Sequence, residues 1–189
     1  MTAKPTTSEI LKSTVEVMAK YGWAPVREDE CVLVREMAAE LIGPDVASAE
    51  TLLAVRRLQA ASCLGFHENG RITGVLGYLF LGRSALDDMM AGRFDALKLD
   101  VGRLRAADEP PALGYTWGIA AVSKNASAAA YAAAAELRAD LWRDLPFVTR
   151  AVTPVGRHIA ITRGQYTPLR FPDDEFMIRR PAAVQEIAA

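Results

Sequence analysis

Cysteine, charge of one sign and long apolar runs are all scarce in this 189-residue chain. The two cysteines, Cys31 and Cys63, stand in no Cys-x-x-Cys spacing, which excludes a disulfide framework and a thiolate zinc site and leaves two buried structural thiols. Lysine and arginine total 22 against 23 acidic residues, so a net charge of −1 supplies no field to draw in nucleic acid, and basic pairs such as Arg56-Arg57 are short. No nucleic-acid partner is expected. No run approaches the length of a bilayer span, and the first ten residues have no apolar leader pattern, so the expectation is a cytoplasmic protein without a membrane partner. A dinucleotide-binding fingerprint is missing too, since no Gly-x-Gly-x-x-Gly follows a strand pattern, and no metal-ligand cluster is expected. What remains is 51% hydrophobic and 24% charged, enough for one sizeable core.

The most informative stretch is residues 113–141. Tyr115, Thr116, Trp117, Ile119 and Val122 are aromatic and β-branched types suited to a buried central strand. Eight alanines then fall between Ala126 and Ala135, with Ala130, Ala134, Leu137 and Leu141 at helical spacing, which predicts a helix starting within a residue or two of the strand's end and capped by Asn125 or Ser127. A strand running straight into a helix leaves amide N–H groups at the helix start, where small residues (Ala126, Ser127, Ala128, Ala129) and the cation of Lys124 suit a phosphate. Taken alone, the segment fits better a helix simply packed close on its sheet.

In order, the chain predicts a first helix with Ile10, Leu11, Val15, Met18 and Tyr21 on one face, begun by Thr6, Thr7 or Ser8 and ended by Gly22. A connection at residues 23–27 follows, then a helix at 30–42 stopped by Gly43-Pro44, and another at 47–60 with Leu52, Val55 and Leu58 inward and Arg56 and Arg57 outward. Asn69-Gly70 between two apolar runs predicts a tight hairpin, with His67 a solvated residue beside its turn. Residues 82–92 read as a short helix capped by Ser84, whose Met89 and Met90 pack at the core or its rim. After Pro146 a strand at 147–152, a helix opened by Pro154 and a last strand at 171–179 complete the pattern.

Val122-Ser123-Lys124-Asn125-Ala126-Ser127-Ala128-Ala129 resembles the pyrophosphate-binding signature of the GCN5-related N-acetyltransferases (GNAT superfamily), a basic or Gln residue followed by x-x-Gly-x-Gly/Ala. Lys124 stands at the basic position, Ser127 replaces the first glycine and Ala129 matches the last. Residues 151–169 are similar to the family's closing strand and helix with their Gly-Phe-x-Pro-like turn, here Gly164, Tyr166 and Pro168 with Gln165 as an extra residue. Together the two segments cover roughly the C-terminal half of the chain.

The resemblance implies an α/β fold in one domain, with a mixed, centrally splayed sheet flanked by helices. Residues 1–60 would form its helical N-terminal part, 61–181 the acyl-CoA-binding core and 182–189 a loose tail. It implies acetyl-CoA or another acyl-CoA as co-substrate, the pantetheine arm lying along Ile119, Ala120, Ala121 and Val122 and the pyrophosphate over Lys124, Asn125, Ala126, Ser127, Ala128 and Ala129. The implied reaction is direct acyl transfer to an amine of a small molecule or protein. The family's proton-donating tyrosine on the last helix is missing, Ile159-Ala160-Ile161-Thr162 standing in its place, which leaves Tyr166 and His158 as the catalytic candidates. A noncatalytic domain of the same fold and an acyltransferase with a longer acyl donor are the alternatives, and pairing of two copies through the last strand, at the end of the sheet, would give a homodimer.

Overall fold

Thr6 starts the first helix by a reciprocal cap: its hydroxyl accepts from the amide of Glu9, whose carboxylate in turn accepts from the amide of Thr6. The helix, α1 (Thr7–Lys20), turns Ile10, Thr14 and Met18 inward, one residue per turn. The computed structural model describes residues 4–104, 108–169 and 176–181. Gly22, at φ 84°, ends the first unit and sends the chain into β1 (Trp23–Pro25), where the sequence suggests only a connection. Three residues are too few for alternation to show, and it is the pairing of Trp23 with Phe66 that makes them a strand.

A 3₁₀ turn at Glu28–Glu30 leads into α2 (Cys31–Ile42), stopped at Gly43 as expected. His67, expected as a solvated residue beside the turn, is exposed but lies in a strand and places Nε2 3.1 Å from Glu30 Oε1. Helix α3 (Ala49–Leu58) is capped by Ser48 and buries only Val55, while Leu58 is 53% exposed. Gln59 takes the inward place instead, its amide group bonded to both the N–H and the C=O of Phe80 at 2.9 and 2.8 Å. Arg56 is half-buried rather than outward, donating to the carbonyl of Val26.

The hairpin forms as the Asn-Gly pair predicts: β2 (Leu64–Glu68) and β3 (Arg71–Leu81) join through Asn69 and Gly70 at φ 52° and 75°. Then come α4 (Arg83–Met90), β4 (Leu113–Ala121), α5 (Lys124–Ala139), β5 (Phe147–Arg150), α6 (Pro154–Thr162), β6 (Thr167–Pro168) and β7 (Phe176–Arg179). Gly82, not Ser84, precedes α4 and no side chain caps it; Met89 is buried and Met90 exposed. The seven strands form one sheet in the order β1-β2-β3-β4-β5-β7-β6, antiparallel except for β4 with β5. The last strand therefore lies between β5 and β6 and is not the sheet's edge, so an edge-to-edge homodimer cannot use it. The expected strand start at 171–175 and the tail at 182–189 lie outside the described residues.

Helices α1 and α5 cover one face around Tyr78, Phe80, Trp142 and Phe147, with Trp142 and Phe147 ring centres 4.4 Å apart. Helices α2, α3 and α4 cover the other, where Val75 and Ala120 share a buried cluster with Val34, and Leu79 and Tyr115 share one with Val55. Cys31 and Cys63 are buried free thiols on this side, and burial pushes Cys63 up to about 12. No described helix is long and apolar enough to cross a membrane.

Candidate functional site

The parallel ladder between β4 and β5 is three pairs long, Gly114 with Phe147, Tyr115 with Val148 and Thr116 with Thr149, although β4 continues to Ala121. Two local features open the gap. On β4 the pairing with β3 jumps from Gly77–Gly118 to Tyr78–Thr116, so Trp117 is the extra residue of a bulge. After β5 ends at Arg150, Thr153 caps α6, accepting from the amide of Gly156 at 3.0 Å, with Pro154 fixing the first helical position. The Thr149 hydroxyl donates to the Thr116 carbonyl at 3.2 Å, and beyond it no described strand pairs with the β5 side of residues 117–121.

The gap opens on both faces of the sheet. On the α5–α6 side is a cleft of about 200 Å³, whose helical walls are small or slender at Ala130, Ala134, Gly156 and Ala160. On the α2 side is a cavity of about 470 Å³ between α2, residues 92–97 and the sheet. Ile42, Trp117, Gly118, Arg150 and Val152 line both. The bulge aims Trp117 into the second cavity's wall, where its Nε1 donates to the Ala96 carbonyl at 2.9 Å.

The chain thus has an α/β fold in which a mixed sheet, flanked by helices, parts between β4 and β5. Neither a family model nor a curated protein matches the chain. Among solved structures, a Corynebacterium glutamicum protein described as histone acetyltransferase HPA2 and related acetyltransferase aligns at 15% identity, covering 85% of this chain and 96% of that one, with a TM-score of 0.46. A second, described as an acetyltransferase, aligns at 11% identity over 84% and 98% of the two chains, with a TM-score of 0.45. At that overlap the likeness says nothing of what this chain binds or transfers.

The cleft collects some of the expected residues and leaves others aside. Tyr166 lies on it, its hydroxyl 3.2 Å from Thr116 Oγ1, and burial pushes its phenol up. The turn that brings it back has Gln165 at φ 59°, and a Cβ on Gly164 would stand 2.6 Å from the Tyr166 ring, so the glycine is required there. His158 is exposed on α6 and does not line the cleft. Ile119 lines it and is 46% exposed; Ala120 is buried on the opposite face, Ala121 packs toward α1 and α5, and the Val122 amide is donated to Thr73.

At the start of α5, Ser123 is the cap rather than Asn125 or Ser127, accepting from the amides of Asn125 and Ala126 at 3.1 and 3.3 Å. Two amides expected for a phosphate are thus already engaged. Glu68 adds a negative charge beside them, its Oε1 accepting from Asn125 Nδ2 at 2.8 Å, and hydrogen bonds from Ser123, Asn125 and Thr73 hold its carboxyl below the usual range. Ala126 is fully buried, its Cβ 2.8 Å from where a Cβ on Gly74 would be. Lys124, Asn125 and Ala128 are exposed, Ser127 and Ala129 half-buried. Sequence reasoning missed Trp117, Arg138, Arg150 and Arg179 on the cleft. Only Arg179 carried a signal, as a charge inside the apolar strand Phe-Met-Ile-Arg.

Proposed function

We propose that the chain is an acyl-CoA-dependent N-acyltransferase, with acetyl-CoA the first donor to test. The observation that carries this reading is the unpaired edge of β4 at the Trp117 bulge, reached from the cleft on one face and from the larger cavity on the other. An edge of free N–H and C=O groups suits the amide-bearing pantetheine arm as an added strand, and exposed Ile119 and Val152 offer it apolar cover. The bound coenzyme would supply an activated thioester carbonyl. Backbone N–H groups at the bulge would polarise that carbonyl, and the amine acceptor would approach from the α2 side, past Trp117. The Tyr166 hydroxyl is the proton donor to the departing sulfur, its raised phenol keeping the proton at neutral pH. The diphosphate would rest outside the first turn of α5, by Lys124, Ser127 and Ala128.

One observation favours a second reading. Ser123 and Glu68 occupy the helix start that a diphosphate would use, which suits a noncatalytic domain that retains the fold. Calorimetric titration of acetyl-CoA into the parent and into Ala160→Trp, which fills the cleft, tests the first: binding by the parent and loss in the variant support it, and no binding by the parent overturns it. Among amines that turn over, Tyr166→Phe is expected to lower kcat by at least about 10²-fold; coenzyme binding without turnover of any amine would establish the noncatalytic domain instead.

A further inference from the structure

Among the described residues that line the cleft, the charged side chains are all arginines. Arg138, Arg150 and Arg179 line it, and no aspartate or glutamate does among the described residues. Arg179, on β7, is 6% exposed; its Nη2 donates to the carbonyls of Trp142 and Leu145, both at 3.1 Å, and its guanidinium lies 5.4 Å from the centre of the Phe147 ring. These contacts orient the cation without neutralising it, because carbonyls and a ring face carry only partial charge. Burial lowers its pKa from the ordinary value, yet a guanidinium keeps its proton at neutral pH. Arg138 comes to the same space from the last turn of α5, has no ion pair or hydrogen bond among the described residues, and its charge bears unfavourably on Arg179. A buried cation facing a like charge is a costly arrangement that an anion between them would relieve. Tyr78, Trp142 and Phe147 wall the approach with apolar rings, as methylene groups ahead of that anion would require.

We propose that the deep end of the cleft, between Arg138 and Arg179, binds a carboxylate, and that its source is the far end of the donor's acyl group, making the donor class a dicarboxylic acyl thioester rather than acetyl. This rests on the acyl-CoA reading above. A free small carboxylate has the same chemistry and is the other source.

Two stable thioethers, S-butyl-CoA and S-(3-carboxypropyl)-CoA, separate the possibilities when titrated calorimetrically into the parent, Arg138→Gln and Arg179→Gln, with sodium glutarate followed in parallel by thermal unfolding. The parent is expected to bind the carboxylate-ended analogue at least about tenfold more tightly than the butyl one. Arg138→Gln should abolish that preference while leaving S-butyl-CoA binding unchanged. Arg138 is only half-buried, so this variant decides the matter even where Arg179→Gln does not fold. Stabilisation by glutarate that needs Arg138, without any preference between the analogues, would keep the pocket and overturn the donor assignment. Equal binding of the analogues and no effect of glutarate would overturn the inference and leave the coenzyme reading intact. Failure of both analogues to bind would overturn the coenzyme reading, and the glutarate measurement alone would then decide whether the pocket takes a carboxylate.

Discussion

The two helices that wall the cleft begin alike and end up held very differently. Each follows a strand of the single parallel pair, and each is capped by a hydroxyl, Ser123 for α5 and Thr153 for α6. Helix α5 then buries Ala126, Ala130, Ala133, Ala134 and Leu137, whereas α6 buries no residue and leaves Val155 69% exposed. Helix α5 is also tied to α1, where Glu136 takes Lys20 Nζ at 2.6 Å and the Tyr21 hydroxyl at 2.8 Å. Helix α6 is fastened at its ends, by the Thr153 cap and by the amides of Gly164 and Tyr166 on the carbonyls of Ile159 and Ala160. One wall of the cleft is thus part of the core, and the other lies on it without burying a residue of its own.

Truncation on the two walls is the strongest way to break that contrast. Leu137→Ala is expected to cost about 2–5 kcal/mol in urea unfolding, against less than about 1 kcal/mol for Ile159→Ala; similar losses would show α6 to be as firmly built in as α5. Gly74→Ala should cost about 1–3 kcal/mol, because its methyl meets the Ala126 Cβ at 2.8 Å and a Trp23 ring atom at 3.0 Å and must push α5 off the sheet. Val155→Ala on α6 should leave the melting temperature unchanged.

Smaller effects sharpen the contrast through pH. The side-chain bond from Lys20 first, then that from Tyr21, holds the Glu136 carboxyl below its ordinary value. A depressed carboxyl stabilises above its unfolded pKa and ceases to as the pH falls through its folded one. Glu136→Gln should therefore lower the melting temperature at pH 7, by progressively less as the pH falls below the ordinary carboxylate range, with the pH 7 effect shrinking in salt. The smallest effect is at the helix start: Glu68→Gln removes the carboxylate beside Asn125 and should tighten acetyl-CoA about two- to fivefold by calorimetry. Unchanged or weaker binding would mean that the diphosphate does not lie there.

Much of this contrast was legible residue by residue. The alanines at helical spacing announced a helix in close contact with its sheet, and Gly74 supplies the close approach they imply. Pro154 marked the start of α6, and Gly164 with Tyr166 marked its end. The cap of α5 was misread because Ser123, Asn125 and Ser127 are all capping types, and only the path of the chain out of β4 chooses among them. β1 was missed because its pattern is three residues long and its partner, β2, lies some forty residues ahead. His158 and Tyr166 were equal candidates in the sequence; the left-handed Gln165 turns one into the cleft while the helix leaves the other in solvent.

By itself the sequence determined the longer elements and their order: helical periodicity, the Asn-Gly turn and the strand passing straight into an alanine-rich helix are properties of neighbouring residues. The tertiary structure alone decided where β4 parts from β5, since a bulge exists only relative to the partner strand, and which side chains meet in the gap. Arg138 and Arg179 are 41 positions apart, on a helix and a strand, and no local pattern relates them. Packing brings them to one cleft, because the sheet order sets β7 beside β5 and α5 lies across the same face.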